Sequence, residues 1–320
     1  MAVYTEVSDE EMQDFLAEYD VGTLVSAKGI AEGVENSNYL IRTTEDTFIL
    51  TLYEKRVHEE DLPFFLGLMD HLAARGIPCP EPVHGRDGKA LRRLAGRPAA
   101  IISFLEGLWT RKIRPVHCAE LGRALAEFHA AGADFGIRRA NGLGPKDWRP
   151  LYELAAERAH EVDEDLAPLI EEELAAIERA WPEGLPAGVI HADLFPDNVF
   201  FIGEKLSGLI DFYFACNDFL AYDIAVCLNA WCFERDRSFN VTKARQLLAS
   251  YGEHRTLSKS ELEALPMLCR GAALRFLLTR LYDWLNCPPG AYVKPKDPME
   301  YADYLTFHRQ VTGPGAYGLE

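Results

Sequence analysis

The chain of 320 residues predicts an α+β protein in two parts, a small antiparallel sheet followed by a larger, mainly helical body. Three observations carry this expectation. The first hundred or so residues alternate β-rich runs with polar turns. From His117 onward apolar residues recur at spacings of three and four, the period of amphipathic helices. Inside that helical stretch sits one β-rich pair, Val199–Ile202 and Leu206–Ile210, around Gly203-Glu204-Lys205. The division is placed at 1–106 and 107–320.

The elements follow in order. Ser8 and Glu11 have the capping-box spacing and open a short helix that buries Phe15, Leu16 and Tyr19. Thr23–Ser26, Tyr39–Thr43 and Thr47–Leu52 read as strands, the last two joined across Thr44-Glu45-Asp46. Between the first two lies a polar, glycine-containing turn, Lys28–Asn38. A turn of that kind can close over phosphates, because its backbone amides are free to point inward. Glu59–Arg75 reads as a helix with an acidic first turn, which suits the helix dipole. Pro78, Pro80 and Pro82 cannot continue it, since each fixes φ and lacks an N–H. Leu91–Leu94 and Ala99–Phe104 pair as strands, and Ser103, Phe104 and Leu105 leave the sheet. Helices are then expected at 117–131, 151–160, 166–181, 222–231, 241–251, 258–268, 271–285 and 298–312.

Composition narrows the class. The hydrophobic share of 48% with 26% charged residues is ordinary for a soluble globular enzyme. A net charge of −17 argues against nucleic acid or an anionic membrane surface as partner. The seven cysteines include no Cys-x-x-Cys pair and read as reduced thiols. With no signal-peptide pattern at the N-terminus and no run of membrane-span length, a cytoplasmic location is expected.

Chemistry concentrates in residues 189–226. His191-Ala-Asp193 precedes the hairpin, Asn198 follows five residues after Asp193, and Asp211 ends the exit strand. Phosphoryl transfer needs these groups: a carboxylate to take the proton of an attacking hydroxyl, and two hard oxygen ligands to hold Mg²⁺ against nucleotide phosphates. The spacing His-x-Asp-x-x-x-x-Asn, followed by Ile-Asp-Phe, matches the catalytic-loop and metal-binding pattern of kinases. Asp193 is the candidate base or orienting carboxylate, His191 a packing or proton-transferring neighbour, and Asn198 and Asp211 the Mg²⁺ pair. The other reading is a turn rich in Asp and Asn. Asp197 reads as a turn residue, and Asp223 as a cap of its helix. Asp218 either caps a turn or meets a cationic acceptor. His129 reads as a core or capping residue.

These residues resemble the aminoglycoside phosphotransferase and choline kinase branch of the protein-kinase-like fold, which carries His-Gly-Asp where this chain has His-Ala-Asp. The resemblance covers nearly the whole chain. It implies a two-lobed protein-kinase-like fold, ATP as phosphoryl donor, and an acceptor site in the cleft between the lobes. It also implies nucleotide contacts at Gly33, Asn36, Ser37 and Asn38 and at the hinge residues Ser103, Phe104 and Leu105. One of Glu59, Glu60 or Asp61 can orient a phosphate-binding cation. One departure stands out. The third strand of this fold usually carries Lys or Arg, and the matching position here is Thr51, with Lys55 and Arg56 just beyond.

Four stretches, 33–39, 48–55, 193–199 and 273–284, are similar in particular to the bacterial homoserine kinases of this fold. That similarity implies phosphorylation of L-homoserine in threonine biosynthesis. Arg275 and Arg280 are then candidates for the substrate carboxylate, since Arg matches a carboxylate geometrically. Asp218 and Asp283 are candidates for its ammonium. Methylthioribose, choline or aminoglycoside kinases share the constellation, and a catalytically silent binding protein of this fold is the reading from another class.

Overall fold

A computed structural model describes residues 5–30, 36–54, 57–288 and 295–319. Two units divide the chain. The first comprises Met1–Gly107, Asp134–Arg139 and Ser207–Tyr213; the second comprises Leu108–Ala133, Ala140–Leu206 and Phe214–Glu320. Gly33 and the pair Lys55 and Arg56 lie outside the described residues.

The first unit opens with α1 (Asp9–Leu16), whose N-cap Ser8 and Glu11 form the reciprocal capping box. Five strands follow around one further helix: β1 (Leu24–Gly29), β2 (Ser37–Thr43), β3 (Thr47–Leu52), α2 (Leu62–Ala73), β4 (Arg92–Leu94) and β5 (Arg97–Ser103). They form an antiparallel sheet in the order β1-β2-β3-β5-β4. On β2 the buried residues alternate, as Tyr39 and Ile41 turn one way and Leu40 and Arg42 the other. Tyr39 pairs with Leu50 and Ile41 with Phe48 on β3, and their core face meets Met12, Phe15 and Leu16 of α1. Gly76 stops α2 at φ +79°, where its N–H bonds the Ala73 carbonyl and that of Ile77 bonds Leu72. These are the bonds of a Schellman motif, which needs a residue that tolerates the left-handed region.

The second unit contains α3 (Pro115–Ala131), α4 (Pro145–Glu153), α5 (Leu166–Ala180), β6 (Ala187–Ile190) and β7 (Val199–Ile202). After β8 (Lys205–Leu209), which continues into the first unit, come β9 (Cys216–Phe219), α6 (Leu220–Trp231), α7 (Val241–His254), α8 (Lys259–Leu285) and α9 (Met299–Arg309). Strands β7 and β8 form the expected hairpin, and its turn glycine Gly203 has φ +65°. Strands β6 and β9 are a second antiparallel pair that the sequence pattern did not suggest. The helix expected at 151–160 divides into the end of α4 and a 3₁₀ turn at Ala156–Glu161.

Residues 258–285 were expected as two helices and are one, α8, of 27 residues. Its capping box is Ser258 with Glu261, and Pro266 sits inside it. Gly271 is no break. A Cβ there would lie 2.3 Å from the Trp181 ring and 2.8 Å from that of Trp148, so the glycine lets both indoles close on the helix. Among the described residues no helix is long and apolar enough to cross a membrane. All seven cysteines are free thiols, and six are buried.

Candidate active site

The loop His191–Asn198 runs from β6 to β7, and its backbone is held by three side chains from two helices. Asp223, near the start of α6, accepts the N–H of His191 at 2.7 Å and of Ala192 at 2.9 Å. Arg275 of α8 donates to the Ala192 carbonyl. Trp231, at the end of α6, donates through its indole N–H to Leu194 at 2.7 Å. Between these anchors Ala192 is held at φ +63°, a conformation that costs a Cβ-bearing residue about 1–2 kcal/mol. The anchors supply what a glycine would give for nothing, so alanine is tolerated where the related branch has glycine.

Asp193 follows this pinned residue. It is half-buried, and Asn198 closes the loop over it. The Asn198 amide nitrogen donates to the Asp193 carbonyl at 2.8 Å and to its carboxylate at 3.1 Å. That orientation leaves the Asn198 side-chain oxygen directed elsewhere. Asp197 is exposed beside them and bonded by Lys296 at 3.5 Å.

Asp223 does not cap its own helix but serves this loop. It is fully buried. Burial alone would raise its carboxyl, but the hydrogen bond from His129 and the neighbouring imidazoles and backbone outweigh it and hold the group below the usual carboxylate range. Behind it the donors run in one direction: Arg255 to the Tyr251 hydroxyl at 3.2 Å, Tyr251 to His129 Nδ1 at 2.8 Å, and His129 Nε2 to Asp223 at 3.2 Å. His129 is thus a core residue acting through Asp223, and His191 is wholly buried.

In the first unit Asp211 follows β8. It is exposed and held at φ +66°, an uncommon place for a non-glycine residue and one where strain often marks function. Thr51 is 2% exposed and donates to Asn38 Oδ1 at 2.8 Å, directly across the β2–β3 ladder. The position at which the resemblance leads one to expect a cation is therefore closed by a neutral pair. The expected nucleotide-contacting side chains are also engaged within the sheet. Asn36 accepts the Glu54 N–H at 3.2 Å, and Ser37 donates to Glu54 at 2.8 Å. Ser103 exchanges two bonds with Glu81, Phe104 is exposed, and Leu105 packs over Gly208. Asp61 holds Arg139 at 2.7 Å, and Glu59 holds Arg93 at 2.6 Å.

The expected substrate clamp is corrected. Arg275 is 2% exposed and spent on the Ala192 carbonyl and the rings of Phe214 and Phe276. It cannot pair with Arg280, because five residues along a helix turn the side chain by about 140°. Asp218 lies in β9, accepts from the Asn141 amide at 2.7 Å and caps the Phe219 N–H. Asp283 is exposed, and neither it nor Asp218 lines the cavity next to the loop. Arg280 does line that cavity, of about 320 Å³ and walled entirely by the second unit. Phe195, Pro196 and Asp197 of the loop share the lining with Asn229, Lys296 and Glu300. Arg280 pairs with Glu300 and lies 4.4 Å over the Tyr301 ring. The signal for Asn229 was present in the sequence as the lone amide within an otherwise apolar helical run; Lys296 and Glu300 gave none.

Residues 26–257 match the family described as phosphotransferase enzyme family. A homoserine kinase of Paramagnetospirillum magneticum is 65% identical, covering 100% of both chains, and one of Rhodospirillum rubrum is 64% identical over 100% of this chain and 99% of its own. Among solved structures, an amicoumacin kinase with AMP-PNP and Ca²⁺ aligns at a TM-score of 0.67 and 12% identity, covering 94% of this chain and 92% of its own. A spectinomycin phosphotransferase with ADP aligns at 0.66 and 15%, covering 98% of each. These distant structures establish the α+β protein-kinase-like fold. Family match and full-length identity together place the chain: it belongs to the phosphotransferase enzyme family, in the group formed by the bacterial homoserine kinases.

Proposed function

We propose that the chain is an ATP-dependent kinase that transfers the γ-phosphoryl group to the side-chain hydroxyl of L-homoserine, giving O-phospho-L-homoserine for threonine biosynthesis. The observation that carries this reading is the 65% identity to a homoserine kinase over the whole of both chains. The chemistry is consistent with it. The homoserine oxygen attacks the γ-phosphorus, the bond to the β-phosphate oxygen breaks to release ADP, and the hydroxyl proton passes to the Asp193 carboxylate. Asn198 orients that carboxylate through its amide nitrogen.

In this reading Asn198 and Asp211 would each supply an oxygen ligand to Mg²⁺, as the kinase spacing implies. Asn198 has its amide nitrogen engaged and Asp211 is an exposed residue; both carry the hard oxygens this ion takes. When bound, Mg²⁺ would neutralise charge on the nucleotide phosphates. With Thr51 closed off, another cation, or backbone amides together with the metal, carries a larger share of phosphate binding in this reading.

The test is coupled ADP release with L-homoserine, serine, threonine, choline and methylthioribose at matched concentrations. L-Homoserine is expected to give the highest kcat/KM. Serine is one methylene shorter, and a misplacement of about an ångström can cost about 10²-fold. Faster turnover of choline or methylthioribose would overturn the substrate while leaving the family in place.

A further inference from the structure

Homoserine reacts only at its hydroxyl, so its carboxylate and ammonium are free to serve as handles. The cavity beside the loop is suited to both. Two cations, Arg280 and Lys296, and two carboxylates, Asp197 and Glu300, line it, so its formal charge is balanced. A zwitterion matches that balance. A polycationic sugar would be better served by an acidic cleft; a quaternary ammonium alcohol could use the rings of Trp109, Phe195, Tyr301 and Tyr304 in the same lining, but has no carboxylate to offer Arg280 and Lys296.

Most of these groups already have company. Glu300 takes Arg280 and the Tyr304 hydroxyl, the latter at 2.9 Å. Lys296 lies 3.5 Å from Asp197 and 5.1 Å over the Phe195 ring. Asn229 differs. It is 1% exposed, and its amide nitrogen donates to the carbonyls of Ala225 at 2.9 Å and Cys269 at 3.1 Å. Two carbonyl partners fix which end is nitrogen, since the flipped amide would set oxygen against oxygen. Its oxygen is buried with no hydrogen-bond partner among the described residues, and Asn229 is one of the residues that line the cavity. A buried acceptor left unpaired is costly, and a donor from a ligand removes that cost. The Tyr301 hydroxyl is equally buried and without a partner among the described residues, and Tyr301 lines the same cavity.

We infer that Asn229 Oδ1 accepts a hydrogen bond from the substrate ammonium while Lys296 and Arg280 hold its carboxylate, making this cavity a reader of zwitterionic amino acids. The inference rests on the homoserine kinase reading above. Choline has no N–H to give Asn229, so the same atom selects against it.

Deletion analogues separate the two handles. 4-Hydroxybutanoate lacks the ammonium, and 3-aminopropan-1-ol lacks the carboxylate. With the parent enzyme each is expected to lose at least about 10-fold in kcat/KM against L-homoserine, the lower end of a hydrogen bond to a charged group. Lys296→Met changes an exposed side chain and should raise KM for L-homoserine about 10- to 100-fold, yet leave KM for 3-aminopropan-1-ol at the parent value. Asn229→Ala should raise KM for L-homoserine similarly and spare 4-hydroxybutanoate. Should that variant not fold, the two analogues on the parent and Lys296→Met still decide. If the parent turns over L-homoserine but accepts either analogue equally well, or if the folded variants keep its KM, the inference falls and the activity stands. If the parent does not phosphorylate L-homoserine at all, the functional reading itself falls.

Discussion

Replacing Asp223 by Asn tests how the loop is held, because the exchange alters hydrogen bonding with almost no change in shape. The carboxylate accepts two backbone N–H groups, at 2.7 and 2.9 Å, and a third bond from His129 at 3.2 Å, all without solvent. Asparagine has a single acceptor oxygen. Whichever way its amide turns, an NH₂ confronts a buried donor. One hydrogen bond to a charged group is lost, worth about 1.5–3 kcal/mol, and one buried donor stays unsatisfied at about 1–3 kcal/mol. A loss of about 3–5 kcal/mol is expected, a large part of the 5–15 kcal/mol typical of a folded chain. Turnover should fall as well, by about 10²-fold, because Ala192 can then relax from φ +63° and carry Asp193 out of line. Urea unfolding followed by tryptophan fluorescence gives the first number, and ADP release by the folded fraction gives the second. A variant within about 1 kcal/mol of the parent and with parental kcat would refute the argument that Asp223 sets this loop.

Asp193→Asn should lower kcat by about 10²–10⁴-fold, yet keep its fold, since an asparagine oxygen can still accept from Asn198; near-normal turnover would remove Asp193 from the chemistry. Ala192→Gly relieves the left-handed backbone and adds unfolded-state entropy of similar size, so its stability should stay within about 1 kcal/mol, whereas Ala192→Val should lose more than about 2 kcal/mol in urea melts. His308 is fully buried, and burial pushes its imidazole down from 6.5 to about 3. Between those values the unfolded chain binds a proton that the folded chain refuses. The stability this group contributes is therefore complete above 6.5 and lost as pH falls toward 3, by at most about 1.4 kcal/mol per unit. His308→Gln should flatten the fall of the urea midpoint between about pH 6.5 and 5; an unchanged slope would assign that acid sensitivity elsewhere.

The sheet was legible because its signals are local. Ser8 with Glu11, the alternation from Tyr39 to Thr43, and Gly76 each act within a few residues. Asp193 and Asn198 were legible for the same reason: the bond joining them spans one short loop. What escaped was set by distant packing. Gly271 looks like a helix end in sequence and is a seat for Trp148 and Trp181 in space. Strands β6 and β9 are four residues each and gain their identity from one another. Arg275 and Arg280 suggested a pair because they are neighbours in sequence, but helical rotation sends one beneath the catalytic loop and the other to the cavity. Lys296 and Glu300 reach that cavity from a segment whose pattern is an ordinary charged surface.

The continuity of α8 has a consequence for how acceptor length is measured. One uninterrupted rod holds the loop carbonyl through Arg275 and lines the neighbouring cavity, the proposed acceptor site, through Arg280. The two positions are five residues apart, about 7.5 Å along the axis at the α-helical rise. They form a yardstick whose ends cannot be adjusted separately by inserting or deleting a residue, since a single insertion would swing one end by about 100°. An enzyme on this scaffold can come to accept a longer or shorter alcohol only by exchanging side chains along the rod, and its helical spacing should be among the last things to change.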